Sequence, residues 1–181
     1  KAKEKELLFV GRLDNRSKKV NRLLKIWKKI YKDFPDWRLS IVGDGPDRKM
    51  LEGYCEKRGL CRIHFYGYTD PKPFYERASI LCMTSEYEGF PMVLTEAMQF
   101  GCIPIAYDSF DAVKDIIKDG NSGILVPPFS MKEYTNQLAC LMSDEEKLKR
   151  MSEYCMQDVT RFSIDSIVDQ WEHLFETLKE E

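Results

Sequence analysis

Two glutamates, eight residues apart, bracket a glycine, a proline and the start of an apolar run: Glu88 and Glu96 in Ser85-Glu86-Tyr87-Glu88-Gly89-Phe90-Pro91-Met92-Val93-Leu94-Thr95-Glu96-Ala97-Met98. A carboxylate accepts two hydroxyl hydrogen bonds, which is how proteins hold sugar diols. Gly89 lets a backbone come close to a ligand. Pro91 pre-sets a helix start, where its missing N–H costs nothing. The first-turn N–H groups from Met92 through Val93 to Leu94, with the helix dipole, would then form an anion site suited to a diphosphate. A molecule with a diol at each end of a diphosphate fits this pattern, and a sugar nucleotide has that form.

A second group lies upstream, in Val10-Gly11-Arg12-Leu13 followed by Lys18 and Lys19. A glycine at a strand end, then an arginine and a nearby lysine, can place two cations at one crevice. A guanidinium fork and an ammonium suit a diphosphate and stabilise it as a leaving group. A third, Ile41-Val42-Gly43-Asp44-Gly45-Pro46, is a tight turn, and Tyr66-Gly67-Tyr68-Thr69 follows one strand later.

The elements that position these groups alternate between two periodicities. Short apolar runs at 7–11, 38–42, 63–66, 79–83, 103–106 and 123–126 read as six strands buried on both faces. Val20, Leu23, Leu24, Trp27, Ile30, Tyr31 and Phe34 mark a one-faced helix over 20–34. Helices are also expected at 47–57, 71–77, 92–100 and 113–117, and from 130 to the end with a break near Ser143. The result is an α/β fold, a Rossmann-like doubly wound parallel sheet of about six strands with helices on both faces. Ligands in such sheets sit beyond the carboxyl ends of the strands, where all three groups fall.

The segment from Ser85 to Met98, with Gly101-Cys102-Ile103-Pro104-Ile105 after it, resembles the signature of group 1 (family 4-like) retaining glycosyltransferases of GT-B architecture. The resemblance runs from about Leu7 to about Leu141. It implies that Glu88 contacts hydroxyls of the donor sugar, with Gly89 and Phe90 presenting backbone amides. It implies that Glu96 holds the ribose and that Met92, Val93 and Leu94 meet the phosphates. Gly11, Arg12 and Leu13 match the family's G-R-L, and Lys18 falls where its lysine would align. Lys19 replaces the usual glycine, so which lysine meets the diphosphate is open. Gly43 lies in the family's G-x-G-P turn facing the nucleotide, and the loop near Tyr66 would border the base.

In such enzymes the donor binds mainly to the C-terminal domain and the acceptor mainly to the N-terminal one. The whole chain, 1–181, then reads as a single donor-binding domain, with C-terminal helices at 143–181 and an acceptor domain missing. On its own it would be inactive. Its charged first six residues run almost at once into a strand, which leads us to expect something upstream. The reaction implied is transfer from a nucleotide-diphosphate sugar to an acceptor hydroxyl with retention, without a metal and without a cofactor. The acceptor would be a saccharide or a lipid-linked one, as in polysaccharide biosynthesis. The helices from Ser143 to Lys179 would brace the missing half, leaving Phe162, Ile164, Ile167 and Trp171 exposed or packed in a non-native way.

Composition narrows the alternatives. Of 181 residues, 43% are hydrophobic and 32% charged, the balance of a soluble globular chain. A net charge of −2 gives no basic field for nucleic acid. No apolar stretch approaches ~18 residues, so no transmembrane segment is expected. Six cysteines without a C-x-x-C pair, and two histidines away from metal spacing, read as reduced cytosolic thiols and no metal site. A cytoplasmic location follows, with membrane association possible only through the missing half. His64, inside an apolar strand, reads as structural, and His173 as a surface or packing residue. Rival functions are a nucleotide-sugar epimerase or phosphorylase of GT-B shape, a non-catalytic interaction domain, and an NAD-dependent oxidoreductase. The glutamate context opposes the epimerase, and the lack of a pyridoxal-phosphate lysine context the phosphorylase. The presence of Arg12 and both glutamates opposes the interaction domain. Gly11-Arg12-Leu13-Asp14 is not the Gly-x-Gly-x-x-Gly that an NAD enzyme needs.

Overall fold

A computed structural model describes residues 2–179. Six strands form one parallel sheet: β1 (Glu4–Val10), β2 (Arg38–Val42), β3 (Ile63–Gly67), β4 (Ala78–Met83), β5 (Ile103–Tyr107) and β6 (Ile124–Val126). Their spatial order is β3-β2-β1-β4-β5-β6. Leu7 stands beside Leu39 on one side and Ile80 on the other, and Ile80 beside Ile103. All four are at most 1% exposed, because helices cover both faces of the sheet.

The helices are α1 (Val20–Ile30), α2 (Arg48–Lys57), α3 (Lys72–Arg77), α4 (Met92–Gln99), α5 (Ala112–Ile116), α6 (Met131–Met142), α7 (Glu145–Asp158) and α8 (Ile164–Lys179). α1 packs against α2 and α6, while α4 packs against α7 and α3 lies over β1 and β4. The order of strands reverses between β1 and β4, which opens a crevice beyond their carboxyl ends.

A charged cluster is buried within the sheet. Glu6 of β1 is fully buried and accepts from Arg77 Nε at 2.7 Å, from Arg38 Nη2 at 2.8 Å and from the Ser40 hydroxyl. Burial alone would raise its carboxyl, but these donors outweigh that and hold it below the usual carboxylate range.

Three expectations need correction. α1 stops at Ile30 instead of reaching Phe34, because Asp33 N–H turns back to the Ile30 carbonyl and Phe34 packs from a turn. The C-terminal helical run has a second break, a 3-10 turn at Val159–Phe162 that ends at Ser163. It separates α7, anchored in the core by Met151 and Cys155, from α8, which buries no residue. Ile164, Ile167 and Trp171 are exposed as anticipated, whereas Phe162 is half-buried with its ring edge-on to Phe90. Finally, His64 is exposed, because β3 is an edge strand and only its alternate side chains face inward.

Candidate functional site

The crevice is built from two loops stitched together. The loop after β1 is tied to its neighbours by Gly11 N–H to the Val42 carbonyl (3.0 Å) and Leu13 N–H to the Asp44 carbonyl (2.9 Å). The loop after β4 is tied to it by Glu86 N–H to the Ser17 carbonyl (3.1 Å), and the Thr84 hydroxyl donates to the Lys19 carbonyl (3.1 Å). Gly43, just after β2, lets the β1 loop lie close on its other side. Its φ is +130°, and a Cβ there would lie 1.9 Å from the Gly11 carbonyl oxygen, so only glycine fits.

Charged side chains then meet across the loops. Lys18 Nζ donates to Glu88 Oε1 at 2.6 Å, and both are mostly buried. The two line one narrow cleft, of about 10 Å³, with Ser85, Val93 and the ends of β1 and β4. Lys19 pairs instead with Glu86 at 3.2 Å, and Arg22 of α1 also donates to Glu86. Burial acts to raise the Glu86 carboxyl, but Lys19 and Arg22 bring it below the usual range. Arg12 is exposed at the mouth and forms no ion pair among the described residues.

The start of α4 faces the same cleft. Pro91 sits at the N-cap rather than in the first helical position, and it is buried. Leu94 N–H bonds to the Pro91 carbonyl at 3.0 Å, which removes it from the expected set of free donors. Met92 and Val93 N–H have no partner among the described residues, so the set of free donors is shorter than the spacing implied. A Cβ added to Gly89 meets nothing within 4 Å, so packing inside the protein does not require glycine there. Phe90 and Met92 are exposed beside it.

Glu96 is half-buried on α4, and Tyr75 of α3 donates its hydroxyl to Glu96 Oε2 at 2.8 Å. Tyr66 stands apart from the charged cleft, on edge strand β3, with its ring edge-on to Phe74 of α3 at 4.6 Å. The fold therefore gathers Gly11, Lys18, Glu88 and Val93 at one point, with Gly43 beneath them. Tyr75, Glu86 and Arg22 are the participants that motif reading passes over. Each contacts a residue 21 or more positions away, and no local spacing signals such a pair. A cavity of about 550 Å³ lies at the other end of the sheet, around Lys3, Trp37, Ile103 and Met142, and shares no residue with this cleft.

A model of the family described as glycosyl transferases group 1 matches residues 1–158. The chain belongs to that family. Among curated relatives, it is 35% identical over 164 residues to an exopolysaccharide phosphotransferase of Streptomyces coelicolor, covering 89% of this chain and 17% of that one. It is 31% identical over 179 residues to a Campylobacter jejuni enzyme. That relative is named as an alpha-1,4-N-acetyl-D-galactosaminyltransferase acting on a PP-undecaprenol-linked saccharide. The match covers 98% of this chain and 49% of that one. The crystal structure of the C-terminal domain of a group 1 glycosyl transferase (LpcC) from Francisella tularensis superposes with a TM-score of 0.79 at 26% identity, covering 88% of this chain and 86% of that domain. This group 1 chain thus spans about half the length of the Campylobacter relative and less of the Streptomyces one. Its six-stranded sheet is the Rossmann-like C-terminal unit of the GT-B architecture.

Proposed function

We propose that this chain is the donor-binding half of a retaining, metal-independent glycosyltransferase, which moves a sugar from a nucleotide diphosphate to an acceptor hydroxyl. The observation that carries the reading is the meeting of Lys18, Glu88 and Val93 of the α4 start in one cleft at the strand-order reversal. Cation and helix start would hold the diphosphate and stabilise it as it leaves, with Arg12 closing over it from the mouth. These protein charges do the work that a metal would otherwise do. Glu88 would turn from Lys18 towards the sugar hydroxyls, Gly89 and Phe90 would offer backbone amides from an open edge, and Glu96 would accept from the ribose. Gly43 shapes the floor, and Tyr66 lies on the side where the base would extend. No cofactor enters the reaction.

The acceptor half would be a second domain, and the uncovered apolar stripe of α8 supports a partner surface of that kind. Without it this domain would bind donor and transfer nothing. The α linkage and the lipid-linked saccharide in the Campylobacter relative's name support retention and a comparable acceptor. Surface polysaccharide assembly on the cytoplasmic side of a membrane would suit both. No helix of the described residues is long and apolar enough to cross one.

Calorimetric titration with uridine, guanosine and adenosine diphosphates and their sugars tests the reading. One nucleotide should bind saturably, and Arg12→Ala and Glu96→Ala should each weaken it about tenfold or more. Unchanged binding in both variants would sink the assignment of this cleft.

A further inference from the structure

Glu96 owes its orientation to another element. Tyr75, only 2% exposed, reaches from α3 to its Oε2. The Tyr75 ring lies nearly parallel to that of Phe100, one turn past Glu96 on the same stretch of chain, with centroids 6.2 Å apart and planes 10° apart. Its backbone carbonyl accepts from Lys3 Nζ at 2.7 Å. The phenol is therefore fixed by its own surroundings before any ligand arrives. Burial, and then the bond to Glu96, push the Tyr75 hydroxyl far above its ordinary range, so it remains a donor at every working pH.

The last torsion of a glutamate is broad, and an unsupported carboxylate swings about it. A donor fixed on one oxygen sets the plane. Oε1 and the second lone pair of Oε2 then point in defined directions, as two adjacent hydroxyls require. We propose that Tyr75 is a positioning residue: it sets the Glu96 carboxylate to accept from both ribose hydroxyls, and so makes the domain select ribonucleoside over 2′-deoxyribonucleoside diphosphates. This rests on the donor-site reading above.

The test uses this chain with uridine, guanosine and adenosine diphosphates, then the 2′-deoxy and 2′,3′-dideoxy forms of the one that binds. Wild type should prefer the ribonucleotide by about tenfold or more. Tyr75→Phe should weaken that preference and Glu96→Gln should remove most of it, with the loss confined to the forms that carry ribose hydroxyls. The double variant should be no weaker than Glu96→Gln alone. Phe100→Leu, which loosens the ring without removing the hydroxyl, should lose part of the preference. Thermal midpoints report whether each variant is folded.

If Tyr75→Phe keeps the full preference while Glu96→Gln loses it, the positioning role is overturned and the donor-site reading stands. Equal weakening towards all three sugar forms would mean that Tyr75 only supports the fold, which also overturns the role. So would wild-type binding without any preference. Preference retained in Glu96→Gln, or no nucleotide bound by wild type, overturns the donor-site reading and the inference with it.

Discussion

α1 and α8 carry the same kind of apolar stripe and meet opposite fates. In α1, Val20, Leu23, Leu24, Trp27 and Ile30 are buried against the sheet and α6. In α8, Ile164, Ile167, Val168, Trp171, Leu174, Phe175 and Leu178 fall at the same three-and-four spacing, and every one is exposed. The local signals run the other way. α8 starts at Ser163, whose hydroxyl accepts from Ser166 N–H at 3.2 Å, an ordinary cap. α1 starts at Lys19, which has no side-chain cap and a left-handed backbone. Periodicity thus tells which face of a helix will be covered, but what covers it is a property of the rest of the protein. α1 finds its cover within this chain, whereas the apolar stripe of α8 finds none among the described residues.

The widest gap between the two helices should appear in stability. Trp27→Ala should cost about 3–5 kcal/mol and Leu24→Ala about 2–5 kcal/mol, through lost burial and the cavity left behind. Trp171→Ala should stay within about 0.5 kcal/mol in this chain, because its side chain is 55% exposed and lies outside the core. Urea unfolding midpoints at constant slope measure all three. Of the three tryptophans, Trp27 and Trp37 are buried and Trp171 is exposed, so iodide should quench one class of emission and Trp171→Phe should remove it. A Trp171→Ala variant as destabilised as Trp27→Ala would mean that α8 folds back onto this domain and that the comparison fails.

Acid should sharpen the contrast next. The buried sheet under α1 contains Glu6, held below its usual range by Arg77, Ser40 and Arg38. α8 has no buried carboxylate. A carboxyl lowered in the folded state stabilises above its unfolded value, about 4.3, and that contribution is lost as pH falls through the folded value. Stability should therefore drop below about pH 4.5 in wild type. Glu6→Gln should lose about 3 kcal/mol at neutral pH, where Arg77 and Arg38 are left facing a neutral group. Its further loss in acid should be smaller. Denaturant midpoints from pH 7 to pH 3 decide this, and parallel curves for the two proteins would show that Glu6 is not the acid-sensitive group.

The sheet was readable from sequence because each strand is a continuous apolar run closed by a turn, and burial on both faces leaves little else for such a run to do. Five of the six strands fall within a residue of their expected limits, and β1 starts three residues earlier than expected, at Glu4. The cleft was readable where one loop contains its own chemistry, as from Glu88 to Val93. It was not readable where partners come from different crossovers. Nothing near Tyr75 announces Glu96, and nothing near Arg22 announces Glu86. The choice between Lys18 and Lys19 also waited on the fold, which gives each lysine a different glutamate. The break at Val159–Phe162 escaped for a different reason. A 3-10 turn keeps nearly the helical spacing, and neither glycine nor proline marks it.

The finest distinction concerns how α1 begins. Lys19 has φ 51° and ψ 41°, a conformation that costs a side-chain-bearing residue about 1–2 kcal/mol. A glycine there removes the strain but gives the unfolded chain more freedom, worth about 0.5–1 kcal/mol, and gives up the ion pair with Glu86. Lys19→Gly should therefore gain only about 0.5 kcal/mol. Lys19→Ala keeps the strain and loses the pair, so it should fall below wild type by about 0.5 kcal/mol. The order glycine, lysine, alanine in unfolding midpoints is what a left-handed residue requires. The reverse order for glycine and alanine would mean that α1 starts in an ordinary helical conformation, and that its weak cap is not what sets it apart from α8. Nucleotide affinity should stay with Lys18 throughout, since the charge facing Glu88 is unchanged in both variants.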